Sequence, residues 1–224
     1  MFRTDAVQAV PIANTVLLEL LAQTPTNGDL GAQMRMQASY FRVNAERLIR
    51  ADAAGLPLQS IFQLSQQNGI SLAQMDQVRL TAVNYTPVPT LPGAIVVWNS
   101  LIQFALATQA LIIANTTFIS RNEVEVARQI VQTAFPPMQE IIADQMDSVG
   151  YMMLTSTYAA IISHLTNTER PLPKMLTYRF AAPQPTLVYA YKLYADAGRA
   201  DELRDENDIV HPAFAPMTGQ ALSR

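Results

Sequence analysis

Cysteine is absent from this 224-residue chain, which excludes disulfides and thiolate metal sites. Histidine is scarce, with only His164 and His211 present. His164 and Glu169 stand at a spacing that places them on different helix faces, and His211 precedes Pro212 in the C-terminal tail, so no local acid–base pair exists. Lysine occurs only as Lys174 and Lys192, and the 15 basic residues are scattered within a net charge of -3. Phosphate-backbone affinity needs clustered cations, so composition gives no case for nucleic acid. There is no glycine-rich phosphate loop, no Gly-x-Ser-x-Gly and no His-Glu-x-x-His. Asp144 and Asp147 could share one helix face, but a hard cation wants more oxygen ligands than this pair supplies. No enzyme activity, catalytic residue, cofactor or metal site is expected. The start Met1-Phe2-Arg3-Thr4-Asp5 is not followed by a typical signal peptide.

Hydrophobic residues make up 50% of the chain and charged residues only 15%. That surface is poor in charge for a freely soluble monomer, and the reading is an assembly component whose missing polarity is replaced by interface. An all-helical monomer with an unusually large core is the other reading. β-hairpin signals are nearly absent: Asn27-Gly28 and Asn68-Gly69 lie between helical patterns. The expected class is all-α, a multi-helix bundle with long central helices and an extended, proline-containing C-terminal tail.

Three regions follow from the breakers. Residues 1–86 read as an N-terminal helical region. Its first helix, from about Asp5 to Gln23, is interrupted or restarted at Pro11, and its apolar face carries Val16, Leu17, Leu20 and Leu21. Thr24-Pro25-Thr26-Asn27-Gly28 breaks the chain, a second helix runs to about Ala53, and Gly55-Leu56-Pro57 stops it. Two shorter helices follow, near Leu58 to Gln67 and Ser71 to Val83, with Ser71 as N-cap. Thr86-Pro87-Val88-Pro89-Thr90-Leu91-Pro92 reads as a linker.

Residues 87–182 form a central long-helix region. No charged residue occurs between Arg79 and Arg121, and Ala94 to Ile119 is long and apolar enough to cross a bilayer. Asn99, Ser100, Gln103, Thr108, Gln109 and Asn115 interrupt it and would face hydrocarbon unpaired. A helix buried in protein or an interface is the expectation, without stable membrane insertion. Ser120-Arg121-Asn122-Glu123 opens the next helix with a capping-box pattern, Phe135-Pro136-Pro137 ends it, and a long helix runs from about Met138 to Asn167. Pro171 and Pro173 break the chain again, and Tyr178-Arg179-Phe180 reads as a short extended piece.

Residues 183–224 hold the sharpest pattern. Pro185-Thr186-Leu187-Val188-Tyr189-Ala190-Tyr191-Lys192-Leu193-Tyr194-Ala195-Asp196-Ala197 is followed by Arg199-Ala200-Asp201-Glu202-Leu203, then Asn207 and His211-Pro212-Ala213-Phe214-Ala215-Pro216. Tyr191 and Tyr194 share a helix face while Tyr189 points elsewhere. They serve either a partly wet interface or packing within the chain. Gly198 reads as a left-handed helix C-cap. The prolines stiffen a tail anchored by Phe214.

These residues resemble the C-terminal signature of the DNA circularisation (DNA circulation) protein family of Mu-like contractile-tailed phages. The likeness runs from about Ser120, whose Ser-Arg-Asn-Glu is similar to the family's helix start, to Pro216. Family members are commonly longer, with an N-terminal domain containing β-structure, whereas helical patterns begin here almost at Met1. The resemblance implies a virion protein of the tail or baseplate: a structural part of the hub or tube-initiating region, made in the host cytoplasm. It would contact other tail proteins and form a homo-oligomer within a symmetric assembly. Tyr191, Tyr194, Gly198, His211, Pro212, Phe214 and Pro216 are the expected assembly residues. The alternatives are a tail-carried DNA-binding or DNA-circularising protein and a membrane-active injection protein.

Overall fold

The charge-free stretch organises the first of two compact units. The computed structural model describes residues 3–25, 27–88 and 91–223. The Met1-Phe2 start, Thr26 of the first breaker cluster and Pro89-Thr90 of the linker lie outside the described residues. In chain order the elements are α1 (Arg3–Gln23), α2 (Gly28–Arg50), α3 (Gly55–Gln67), α4 (Leu72–Asn84), α5 (Pro92–Asn115), α6 (Arg121–Asp144) and α7 (Ser148–Glu169). Then come β1 (Met175–Arg179), α8 (Thr186–Tyr194), a 3-10 turn (Ala197–Arg199), α9 (Ala200–Glu206) and β2 (Thr218–Leu222). The class is all-α, with one small two-stranded sheet. One unit comprises Met1–Thr116 with Ala127–His164, the other Thr117–Val126 with Leu165–Arg224. These units do not follow the three regions read from the prolines: α4 and α5, on either side of the 86/87 division, pack against each other.

In the first unit α5 packs on α1, α3 and α4. Pro92 opens α5 where its missing N–H costs nothing. Leu101, Ile102, Ala105 and Leu106 are buried, and the polar residues among them find partners. The Trp98 indole donates to the Ala82 carbonyl at 2.7 Å, and the Thr108 hydroxyl to the Phe104 carbonyl at 2.7 Å. Fully buried Gln109 donates to Asp76 at 3.0 Å, which also accepts from Arg79 at 2.8 Å. These bonds satisfy part of the polar complement of α5, while the buried amide oxygens of Asn99 and Gln109 have no partner among the described residues. Both α5 and Thr4–Gln23 of α1 are long and apolar enough to cross a membrane.

Several breakers act otherwise than expected. Pro11 lies inside an unbroken α1. Pro11 and Val7, whose carbonyl loses its donor, are exposed to solvent, while Ala6, Ala9, Ile12, Ala13, Val16, Leu17 and Leu20 are wholly buried. Burial of that face outweighs the roughly 3 kcal/mol cost of an internal proline. Gly55-Leu56-Pro57 forms the first turn of α3, where N–H groups need no helical partner. Pro136 and Pro137 likewise sit within α6 rather than ending it. The expected Met138–Asn167 helix is cut at Gln145–Asp147. Met146 adopts a left-handed φ of 58°, and the Asp147 carboxylate accepts from the Gly150 N–H at 3.0 Å, starting α7. Asp147 is thus a cap. The Ser71 capping box forms in full with Gln74, and Ser120 Oγ accepts from the Glu123 N–H at 3.3 Å.

The second unit adds one small sheet to the helical architecture. β1 and β2 pair antiparallel with Tyr178 opposite Gly219. The short extended piece around Tyr178 is thus a strand whose partner lies far along the chain, with no turn signal to announce it.

Replacing Leu106 by Ala should destabilise the first unit by about 2–5 kcal/mol. Leu111→Ala, at a half-exposed position of the same helix, should change stability little. Urea unfolding followed by fluorescence of the single tryptophan, Trp98, measures both.

Candidate assembly site

The C-terminal signature folds around its own tyrosines. Along α8 the buried positions are Thr186, Tyr189, Ala190 and Tyr194, a helical stripe. They join Tyr178, Leu203, Ile209, Ala215 and Ala221 in one core. The Tyr189 ring stacks on Phe180 at 4.1 Å between centroids and meets Tyr178 edge-on at 5.5 Å. Its hydroxyl donates to the Ala182 carbonyl at 2.8 Å. Tyr194 carries the Arg199 guanidinium over its ring at 3.8 Å, and Arg199 forms a two-toothed pair with Glu202.

The expected assembly residues divide. Tyr194 is buried and belongs to the core, while Tyr191, three residues before it, is 64% exposed. Tyr189, set aside in the sequence, is the centre of the core. Gly198 is not the left-handed cap: that conformation falls on Ala195, at φ 57°, whose N–H closes α8 on the Tyr191 carbonyl. Gly198 instead sits in the 3-10 turn and donates its N–H to the Asp196 carboxylate at 2.8 Å. The Pro212 carbonyl accepts from the Thr186 N–H at 2.8 Å, and Ala215 bridges to Gln184. The proline tail is therefore pinned to the start of α8, with His211 against the ring of Phe214 at 5.4 Å. Phe214 and Pro216 remain exposed.

Two residues carry more than their sequence context suggested. The Asn207 side chain donates to the carbonyls of Leu203 and Gln220 and accepts from the Gln220 N–H at 2.7 Å. One amide thus ends α9 and occupies the outward backbone groups of Gln220 on β2. Arg121 holds the approach to β1 through the carbonyls of Leu172, at 2.7 Å, and Arg170. The Asn after an acidic helix was the only available signal for the first, and the Ser-Arg-Asn-Glu start for the second.

Packing at the ribbon leaves no slack. A Cβ on Gly219 would lie 2.6 Å from the Tyr178 hydroxyl and collide with the Asn207 amide oxygen. The Tyr178 hydroxyl is buried without a partner. Burial, then Tyr189 and Tyr194, push its pKa up and keep it neutral. The Tyr194 hydroxyl lies beside the Leu222 backbone without a well-formed hydrogen bond. Glu206 is held above the usual carboxylate value by burial and by the charges of Glu123, Glu202 and Asp205.

His164 belongs to the first unit, among Ala110, Leu111, Ala160 and Ile161, and His211 to the second. Among the described residues no three His, Asp or Glu side chains gather at a spacing that could hold a metal ion.

No protein-family model matches this chain, and no curated protein matches it significantly.

Asn207→Ala and Gly219→Ala should each destabilise the second unit by about 1–3 kcal/mol, the first through orphaned backbone groups and the second through overpacking. Amide exchange at Tyr178 and Gln220 measures this apart from Trp98. Glu206→Gln should stabilise the same unit at neutral pH. A carboxyl whose folded pKa is raised contributes stability that is full below its unfolded value, about 4.3. That contribution is lost as pH rises through the folded value. The variant's advantage should therefore vanish in acid, and a constant advantage down to that range would refute the assignment.

Proposed function

We propose that this protein is a structural component of a contractile phage tail, in the baseplate hub or tube-initiating region, working through protein–protein contacts and catalysing nothing. One observation carries the assembly role. The signature closes its own core, yet leaves Leu187 58%, Tyr191 64%, Phe214 73% and Val210 99% exposed. A side chain not needed for folding and kept apolar in water loses nothing by docking and gains burial there. Exposed aromatics are the usual energetic centres of such contacts. Thr186 and Ala215 tie the Val210–Phe214 segment to the start of α8, so these side chains are presented on a supported backbone and little ordering entropy is lost on docking.

The tail setting comes from the resemblance of Ser120 to Pro216 to the DNA circularisation family. In this reading the chain is a virion protein, assembled in the host cytoplasm with other tail proteins and with copies of itself. The sparse surface charge fits a protein that spends its life in an assembly.

The test uses Tyr191→Ser combined with Phe214→Ser. Both side chains are exposed, so folding should change by no more than about 0.5 kcal/mol per site. Incorporation into tails, quantified by mass spectrometry of purified particles, should fall to background. Normal incorporation of the double variant would refute the assigned anchors. Absence of the unaltered chain from purified particles would refute the tail reading itself.

A further inference from the structure

The two edges of the small sheet are treated differently. The Phe180 N–H donates to the Met217 carbonyl and the Ser223 N–H to the Lys174 carbonyl, each at 2.7 Å. With the observed register, Leu176 and Tyr178 therefore face β2 in hydrogen-bonded pairs. The N–H and C=O groups of Met175, Thr177 and Arg179 point the other way. By the same alternation Thr218, Gln220 and Leu222 point outward from β2. There Asn207 takes both backbone groups of Gln220, and Tyr194 lies beside Leu222. On the β1 side Thr177 and Arg179 are exposed, and among the described residues no hydrogen bond occupies their outward groups.

We propose that the free edge of β1 is a docking site for an extended, acidic segment of a partner protein, which adds to the sheet as a third strand. Three observations define that occupant. The edge offers unpaired main-chain groups over Met175, Thr177 and Arg179, which pair with another extended backbone and with little else. Its charge is of one sign: from Arg170 to Ala195 the chain carries Arg170, Lys174, Arg179 and Lys192 and no carboxylate. Lys174 and Arg179 flank β1 at its two ends, while the acidic residues of α9 lie on the β2 side, where α9 packs. Finally, a hollow of about 340 Å³ lies across the ribbon beside α8, lined by Leu176, Tyr178 and Phe180 on the β1 side, Leu193 and Tyr194, and Ala221 of β2, with room for one apolar side chain. Main-chain pairing supplies affinity, and the two cations with the hollow supply specificity. The inference goes beyond the tail reading and stands without it, because it rests only on the second unit.

The full-length protein is titrated with a fluorescent eight-residue peptide of alternating valine and glutamate. Saturable binding is expected below about 1 mM. Three changes should each weaken it at least about tenfold: N-methylation of alternate peptide amides, replacement of every glutamate by lysine, and the double substitution Lys174→Glu with Arg179→Glu. Thr177→Pro should do the same, since it removes an outward N–H and no existing hydrogen bond. N-methylation leaves the protein untouched and keeps the test valid should the proline variant misfold. No binding at about 1 mM, or equal binding of the N-methylated peptide, overturns the proposal. So does a double-stranded oligonucleotide that binds the Thr177→Pro variant as tightly as the unaltered protein and is released by the charge reversal. That result would assign the basic segment to nucleic acid.

Discussion

The side chain of Asn207 is the constraint on which the second unit turns. A two-stranded ribbon is marginal in water, because half of its main-chain groups lie on open edges and one face has nothing to pack on. Asn207 answers the first problem on the β2 side by standing in for a strand residue, accepting from and donating to Gln220. The same amide takes the Leu203 carbonyl at the end of α9, so one group serves both the helix end and the middle of the strand edge. Gly219 follows from this: the Asn207 amide and the Tyr178 ring occupy the space a side chain would need. The ribbon then offers Tyr178 and Ala221 to Tyr189 and Tyr194 of α8, which covers its face.

That arrangement separates core from surface within one short stretch of sequence. Of three tyrosines in α8, Tyr189 and Tyr194 are in the core and Tyr191 is in solvent. Helical geometry alone makes the division, since the stripe through Thr186, Tyr189, Ala190 and Tyr194 passes Tyr191 by. The tail is divided in the same way: Ala215 and the Pro212 carbonyl hold the backbone, and Phe214 stays outside. A surface built so can change its exposed side chains without disturbing its own core. The first unit applies a related economy, placing Gln109, Asp76 and Arg79 in one buried cluster so that a helix without charge of its own remains tied to α4.

Much of the helical architecture was legible in the residues. The all-α class, the Ser71 cap and the Ser120 start follow from local periodicity and capping chemistry, which act over a few residues. Of the stretch Ala94 to Ile119 read as buried, the helix ends at Asn115, and Val96, Leu111 and Ile119 are exposed. The prolines misled. A proline's effect depends on whether its orphaned carbonyl meets water and on how much apolar surface the helix buries opposite it, and neither is local. Asp147 was read beside Asp144 as a carboxylate pair, because nothing nearby reveals that Met146 turns left-handed and makes Asp147 a cap.

What the sequence determined by itself was the helical class, the absence of thiol chemistry, and the location of the distinctive residues between Pro185 and Pro216. Only the tertiary structure decided which of those residues are core and which are surface, because that depends on β2 returning to β1. Strand pairing between distant segments leaves no periodic or turn signature beyond the strands themselves. Hence Tyr189 and Tyr194 as core, Ala195 as the left-handed cap, Asn207 as edge partner and the bare outer edge of β1 emerge only once the chain has closed on itself.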